Sequence, residues 1–319
     1  MKLISFVIPC YKSEKTISEV INEIDIIVNS NSKYDYEVIA VNDCSPDNVW
    51  EVLKSYASKN KKVRVINLAK NMGRPNAVFA GLSKAKGDYI IMMDDDGQSP
   101  MNNLWKLIKP LEEGHDVASA KYIHYKQSLF KSIGTIVNRK MAEKIIEKPK
   151  ELEFTNFIAI KNYIRDEIIK YKNPYPYFTG LLLRTTSDIV NIEMEERERI
   201  SGTTTFTFKK MLSLWMNGFT AFSIKPLRIS TIIGFICALL GFIYGLAIIV
   251  SKLIGVNFLP GYSSIMAVVL FIGGIIMIML GMIGEYLGRI YISINNSPQY
   301  VIKEEINFEK ERDEIKKNN

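Results

Sequence analysis

Ile90-Ile91-Met92-Met93-Asp94-Asp95-Asp96-Gly97-Gln98-Ser99-Pro100 is the stretch on which the reading of this chain turns. An apolar run suited to a buried strand drives into three consecutive carboxylates, and Ser99-Pro100 then opens a helix. Three adjacent acids need a counter-charge. In an open α/β sheet, ligands bind beyond the carboxyl ends of the strands, so acids placed there suit a divalent cation carrying a phosphorylated ligand. A solvated acidic turn has the same composition, so the neighbouring segments must decide.

Those segments repeat one unit. Residues 3–8, Leu-Ile-Ser-Phe-Val-Ile, form a β-rich run stopped by Pro9, and an amphipathic helix is expected over 14–28 with Ser13 as its cap. Residues 36–42 give a second strand ending at Asn42-Asp43, after which Ser45-Pro46-Asp47 starts a helix. A third strand over 62–68 leads through Asn71-Met72-Gly73-Arg74-Pro75 into a helix over about 75–85, and the fourth strand, 88–93, delivers the acids. Such alternation predicts an α/β fold, a mostly parallel sheet with right-handed crossovers and flanking helices. Pro9-Cys10-Tyr11, Asn42-Asp43, Asn71-Gly73-Arg74 and Asp94 to Asp96 each follow a successive strand, so one cleft is expected from four loops.

The rest of the chain is apolar in blocks. Ile229 to Val250 and Ser263 to Gly284 are each 22 residues without a charge, and roughly 20 apolar residues cross a bilayer's hydrocarbon core. Two transmembrane helices, about 229–251 and 263–285, are therefore expected, with a buried soluble hairpin as the weaker alternative. Lys225 and Arg228 precede them and Arg289 follows, while Lys252 is the one cation between, so both large segments are placed in the cytoplasm. Gly241-x-x-x-Gly245 and Gly284-x-x-x-Gly288 permit close helix contact. The organisation expected is a cytoplasmic domain over 1–205, a juxtamembrane amphipathic segment over 206–228, the two helices within 229–288, and a cytoplasmic tail over 289–319 read as frayed or disordered. Residues 126–147 read as a basic amphipathic helix, solvated or beside the membrane. The net charge of +7 suits an anionic partner, read here as a lipid bilayer and a phosphorylated substrate, with no nucleic acid. Cys10, Cys44 and Cys237 have neither zinc nor redox-pair spacing, and fit a reducing cytoplasm.

Taken together, Phe6-Val7-Ile8-Pro9-Cys10-Tyr11, Val41-Asn42-Asp43-Cys44-Ser45-Pro46-Asp47, Asn71-Met72-Gly73-Arg74-Pro75-Asn76-Ala77 and Asp94-Asp95-Asp96-Gly97-Gln98 resemble the inverting, family-two nucleotide-sugar glycosyltransferases. More narrowly they are similar to the polyprenyl-phosphate glycosyltransferases, relatives of dolichol-phosphate mannose synthase. Phe222 to Arg228 and Gly284-Glu285-Tyr286-Leu287-Gly288-Arg289-Ile290-Tyr291 resemble the bacterial two-span members. The resemblance implies a nucleotide-sugar-binding fold of glycosyltransferase A type, in which Pro9 and Tyr11 line the base pocket and Asp43 accepts a hydrogen bond from the base. It implies Asp94 and Asp96 around Mg²⁺ or Mn²⁺, Asp96 also as a catalytic residue, and Gly73, Arg74, Asp95 and Gln98 close to the donor. Lys121 and Arg199 fall where relatives carry basic residues near the phosphates.

The chain departs from that family's pattern at three places. Where many relatives have Gly-Asp-Phe-Arg-Leu with a catalytic aspartate, it has Thr155-Asn156-Phe157-Ile158-Ala159, so the residue in the base position, Asn156, cannot take a proton. A Ser-Lys-Tyr is replaced by Thr204-Thr205-Phe206, with Lys209 or Lys210 as substitutes, and an Arg-Pro by Ser297-Pro298. The resemblance implies transfer of a sugar from a uridine diphosphate sugar to undecaprenyl phosphate, with inversion, by a homo-oligomer of the bacterial inner membrane. Transfer to another lipid such as diacylglycerol, and a non-catalytic nucleotide-sugar-binding scaffold, remain open.

Overall fold

The computed structural model describes residues 1–123, 148–174, 176–195, 197, 225–254, 261–295 and 298–308. The basic stretch 126–147, Arg199, the 204–210 substitutions and the amphipathic segment 206–222 lie outside them.

Strand β1 (Lys2–Cys10) is apolar along most of its length because both its faces are covered. Phe6 and Ile8 enter one cluster with Val38, Ala40, Val63 and Val65, while Val7 enters a second with Ile39, Val41 and Ile66. That period of two sends alternate residues to opposite sides of the sheet. Helix α1 (Ile17–Asn29) covers the first side with Ile17, Val20, Ile21, Ile24 and Val28, a stripe at helical spacing. Helices α2 (Val49–Lys59) and α4 (Leu104–Glu113) join it there. The second side is covered by α3 (Arg74–Leu82), α5 (Asn162–Ile168) and α6 (Phe178–Thr185). Gly81 of α3 allows a close approach, since a Cβ there would lie 2.5 Å from Val7 Cγ1.

The eight strands run in the order β7-β5-β6-β4-β1-β2-β3-β8. Strands β2 (Tyr34–Asn42) and β4 (Tyr89–Met92) flank β1 in parallel, and β3 (Val63–Leu68) continues the parallel set. The first four strands therefore sit as 4-1-2-3, which gathers their carboxyl ends on one edge. Strand β6 (Ile158–Lys161) inserts antiparallel between β4 and β5 (Val117–Tyr122), and β7 (Ile189–Met194) pairs parallel with β5.

One expectation needs correction, and a second is met in part. The tail does not begin at 289: helix α8 (Tyr262–Ile294) runs on, and Ile302–Ile306 forms β8, antiparallel to β3 at the sheet edge. The charged letters of β8 decorate an edge strand, where charge discourages further pairing. Ile302 and Ile306 pair with Leu68 and Val65, and Lys84 meets Glu305 at 3.1 Å. Asn307, at φ +65°, donates its amide to the carbonyls of Ala57 at 2.6 Å and Val63 at 2.8 Å. The exit of α8 is tied down too, with Ser293 Oγ donating to Asn173 Oδ1 at 2.6 Å and Gln299 Nε2 to the Asn173 carbonyl at 3.1 Å.

The expectation met in part concerns the apolar pair, α7 (Lys225–Leu253) and α8. Among the described residues one run, Phe271–Ile294, is long and apolar enough to cross a membrane, while Thr231–Tyr244 within α7 is shorter. The two-span reading is thus supported on one helix only. Of the spaced glycines, Cβ atoms at Gly241, Gly284 and Gly288 would meet nothing within 4 Å, whereas one at Gly234 would lie 3.1 Å from the Met279 methyl.

Candidate active site

The four loops anticipated at one edge are bonded to one another. Beyond β1, the Tyr11 backbone N–H donates to Asp95 Oδ2 at 2.9 Å, and Thr16 Oγ1 donates to the Asp95 carbonyl at 2.6 Å. Asp43 N–H reaches back to the Cys10 carbonyl at 3.0 Å, joining the β1 and β2 ends. The Asp43 carboxylate then accepts from the backbone of Met72 at 2.7 Å and Gly73 at 2.9 Å, so the β2 and β3 loops are held together. Arg74 closes the ring: its Nε and Nη2 each lie 2.8 Å from Asp94 Oδ1. Two non-glycine residues of this edge, Lys12 at φ +61° and Cys44 at φ +48°, take left-handed backbone, the kind of strain that surrounding bonds sustain at working sites.

Each acid of the triplet has a separate task. Asp94 is gripped from both sides, since Asn156 Nδ2 donates to its Oδ2 at 2.6 Å. Asp96 Oδ1 accepts the Gln98 backbone N–H at 3.1 Å, a short turn made possible by Gly97 at φ +77°. Asp95 braces the Tyr11 loop. Burial, helped by the charge of Asp94 and opposed by the Tyr11 N–H, raises its carboxyl from the ordinary 3.8 to about 6. That placement ties Asp95 to the Tyr11 loop through Oδ2.

The remaining candidates divide. Pro9 is buried in β1 opposite Val41, and Tyr11 stands just beyond, 41% exposed and free to stack on a ligand. Asp43 is only 3% exposed, and burial raises its pKa against the two backbone donors. Its carboxylate serves the loop at residues 72–73, which leaves fewer lone pairs for a base than the sequence implied. Gly73, at φ +82°, caps α3 and lets Arg74 begin it. Lys121 is not brought to the acids: its Nζ pairs with Glu193 at 2.9 Å, across β5 and β7. Arg197 is a basic residue that the sequence reading passed over. Its N–H donates to the Gln98 carbonyl at 3.3 Å, Gln98 Nε2 returns a bond to its carbonyl at 3.4 Å, and its guanidinium meets Glu23 at 2.6 Å. In the sequence it lies within Glu195-Glu196-Arg197-Glu198-Arg199, a charged run in which no letter shows which residue meets Gln98. Cys10 is no nucleophile, because burial raises its thiol well above the ordinary range.

No three His, Cys, Asp or Glu side chains among the described residues converge on one point. Asp94 and Asp96 offer hard oxygen at the strand end, which fits a cation that takes one or two carboxylates and draws its other ligands from a bound diphosphate and water. The donor set fits Mg²⁺ or Mn²⁺ arriving with a nucleotide better than a resident ion in a closed cage.

Comparison with known proteins agrees with this arrangement. Residues 5–186 match the model of glycosyl transferase family 2, and residues 225–290 match that of the GtrB C-terminal hairpin. A prophage bactoprenol glucosyl transferase homolog of Escherichia coli K12 is 32% identical over 310 residues, spanning 94% of this chain and 98% of its own length. A bactoprenol glucosyl transferase of Shigella phage SfV is 30% identical, spanning 95% and 98%. Among solved structures, Mycobacterium tuberculosis glucosyl-3-phosphoglycerate synthase in complex with Mn²⁺ and uridine-diphosphate-glucose shares the fold, with a TM-score of 0.51 and 19% identity over 69% of this chain and 77% of that one. A family match over more than half the chain makes this chain a glycosyltransferase belonging to glycosyl transferase family 2.

Proposed function

We propose that the enzyme transfers a sugar from a nucleotide diphosphate sugar to a polyprenyl phosphate, undecaprenyl phosphate in a bacterial inner membrane, with inversion at the anomeric carbon. The observation that carries the reading is the joined edge of β1 to β4, where Asp94 sits beside Arg74 at the start of α3 and Asp96 follows in the same loop. A helix start and a guanidinium together favour a diphosphate. Relatives named as bactoprenol glucosyl transferases along nearly their whole length support the lipid phosphate as acceptor and glucose as the sugar to test first. The uridine donor rests on the family resemblance and on the uridine-diphosphate-glucose held by a relative in fold.

In this reading Tyr11 stacks on the base, the loop held by Asp43 frames the ribose and diphosphate, and Arg74 contacts the leaving phosphates. A divalent cation, when bound to Asp94 and Asp96, stabilises the charge that builds on the departing diphosphate. Asn156 cannot act as a base, and none is required: a phosphate monoester has its second pKa at about 6, so the acceptor is largely ionised at neutral pH. Holding both substrates in one cleft supplies much of the acceleration. Residues 1–205 with β8 would form the cytoplasmic catalytic unit, 206–228 the membrane-surface segment, and α7 with α8 a two-span hairpin, with Gly241, Gly284 and Gly288 open to a second copy in a homo-oligomer.

The test is transfer of labelled sugar by the purified full-length protein to undecaprenyl phosphate, with Mg²⁺ or Mn²⁺ and a panel of nucleotide sugars. A lipid product that mild acid cleaves is expected. An acid-stable lipid product would shift the acceptor to a hydroxyl lipid such as diacylglycerol, and no lipid product with any donor would refute the reading.

A further inference from the structure

Both oxygens of Asp94 are already committed. Oδ1 accepts the Arg74 Nε–H at 2.8 Å and lies 2.8 Å from Nη2 of the same guanidinium, and Oδ2 receives the Asn156 amide at 2.6 Å. Oδ1 is therefore held by a full positive charge, which crowds the side of the carboxylate that a cation would approach. A divalent cation binds a carboxylate oxygen at about 2.0–2.6 Å. It cannot take Oδ1 while Arg74 remains, and on Oδ2 it would face the guanidinium across one carboxylate.

The rest of the site gives a bare cation little compensation. Asp95, the middle acid, is turned into the Tyr11 loop, and no three metal-ligating side chains among the described residues meet at one point. Asn156, where a second carboxylate would have pulled a cation in, is neutral. Arg74, by contrast, has somewhere to go. It is the first residue of α3, follows Gly73 at φ +82°, and its side chain is 40% exposed, so it can leave Asp94 by rotamer change alone. A diphosphate at the start of α3 is the partner that its forked donors suit.

We propose that Arg74 is a built-in counter-cation: it neutralises Asp94 in the empty enzyme and surrenders it to the divalent cation when the donor's diphosphate draws the guanidinium away. This rests on the metal and diphosphate reading of the cleft. Metal and nucleotide then bind cooperatively, because each relieves a cost that the other meets when it binds alone, and the coupling is reciprocal. Arg74 acts on the metal through Asp94, as a positioning residue, and on the diphosphate directly. An enzyme so built resists loading with metal alone.

The experiment is calorimetric titration of the full-length protein in detergent micelles with Mn²⁺ alone, uridine diphosphate alone, and Mn²⁺ at saturating uridine diphosphate. Wild type is compared with Arg74→Ala and with Arg74→Gln, which keeps length and hydrogen bonding without charge. In wild type, uridine diphosphate should tighten Mn²⁺ binding by about tenfold or more. Both variants should bind Mn²⁺ alone more tightly than wild type, by about fivefold, bind uridine diphosphate alone more weakly, and show reduced coupling. Mn²⁺ alone binding no more tightly to either variant overturns the assignment, and if wild type still binds both ligands the metal-diphosphate reading survives it. Wild type that binds neither refutes both.

Discussion

Replacing Asp95 by Asn should stabilise this enzyme at neutral pH and lose that benefit in mild acid. The folded protein raises the Asp95 carboxyl from 3.8 to about 6, so the native state holds a proton that the unfolded chain releases across that interval. Stability contributed by the group therefore falls as pH rises from about 4 to about 6, and above it the buried charge costs the whole difference. At 1.36 kcal/mol per pKa unit that is about 3 kcal/mol. Asparagine still accepts the Tyr11 N–H through its amide oxygen but without charge assistance, a loss of about 1 kcal/mol. The net gain near pH 7.5 is about 2 kcal/mol, which moves the melting temperature of a unit this size by about 4–8 °C. Thermal unfolding of the full-length variant and wild type in detergent with EDTA, at pH 7.5 and pH 5, reads this directly. A variant that melts lower at pH 7.5, or whose advantage is the same at both pH values, refutes the view that buried charge dominates at Asp95.

Three further outcomes follow from packing and bonding. Asn156→Asp sets a carboxylate 2.6 Å from Asp94 Oδ2, so the empty protein should melt lower and Mn²⁺ should restore it more strongly than in wild type, read as a thermal shift against Mn²⁺. Gly81→Ala forces a methyl to within 2.5 Å of Val7 Cγ1 and 3.3 Å of Val41 Cγ2, at a cost of about 1–3 kcal/mol in unfolding free energy. Asn307→Ala strands the carbonyls it satisfies and places alanine at φ +65°; hydrogen exchange over 298–308 should accelerate by about tenfold or more, while β1 and β2 stay protected.

The first four strands and their helices were legible because each is local: a doubly buried strand writes an unbroken apolar run, and a covering helix writes a 3.6 period. The cleft followed, since a parallel sheet places its strand ends together. Long-range choices were not legible. Strand β6 is four residues, Ile158–Lys161, and nothing in those letters states that it runs antiparallel between β4 and β5. Strand β8 hides its two isoleucines among Lys303, Glu304 and Glu305, so its edge position looks like a solvated tail. At the site, charge alone could not assign partners. Asp95 finds a backbone N–H 84 residues away, and Lys121 finds Glu193 across two strands. Side-chain type gave the chemistry available; only the register of the sheet gave each group its neighbour.

Asn156 sharpens what drives the reaction. Its amide is spent on Asp94 Oδ2, so in this geometry the residue at the expected base position supports the Asp94 carboxylate and has no proton-accepting capacity. The nucleophile must then bring its own charge. A polyprenyl phosphate does so as it loses its second proton at about pH 6, and the rate at low acceptor concentration should fall about tenfold for each unit below that. Asp95, whose carboxyl burial raises to about 6, falls in the same range, and through the Tyr11 loop it could impose a similar profile. The two sources separate in Asp95→Asn: an inflection that persists belongs to the acceptor, and one that vanishes belongs to the protein. A persistent inflection, measured as kcat/KM for the lipid phosphate under saturating nucleotide sugar and Mn²⁺, is the expected result. Its loss would mean that burial of a carboxylate, and not the ionisation of the substrate, sets the pH at which this cleft works.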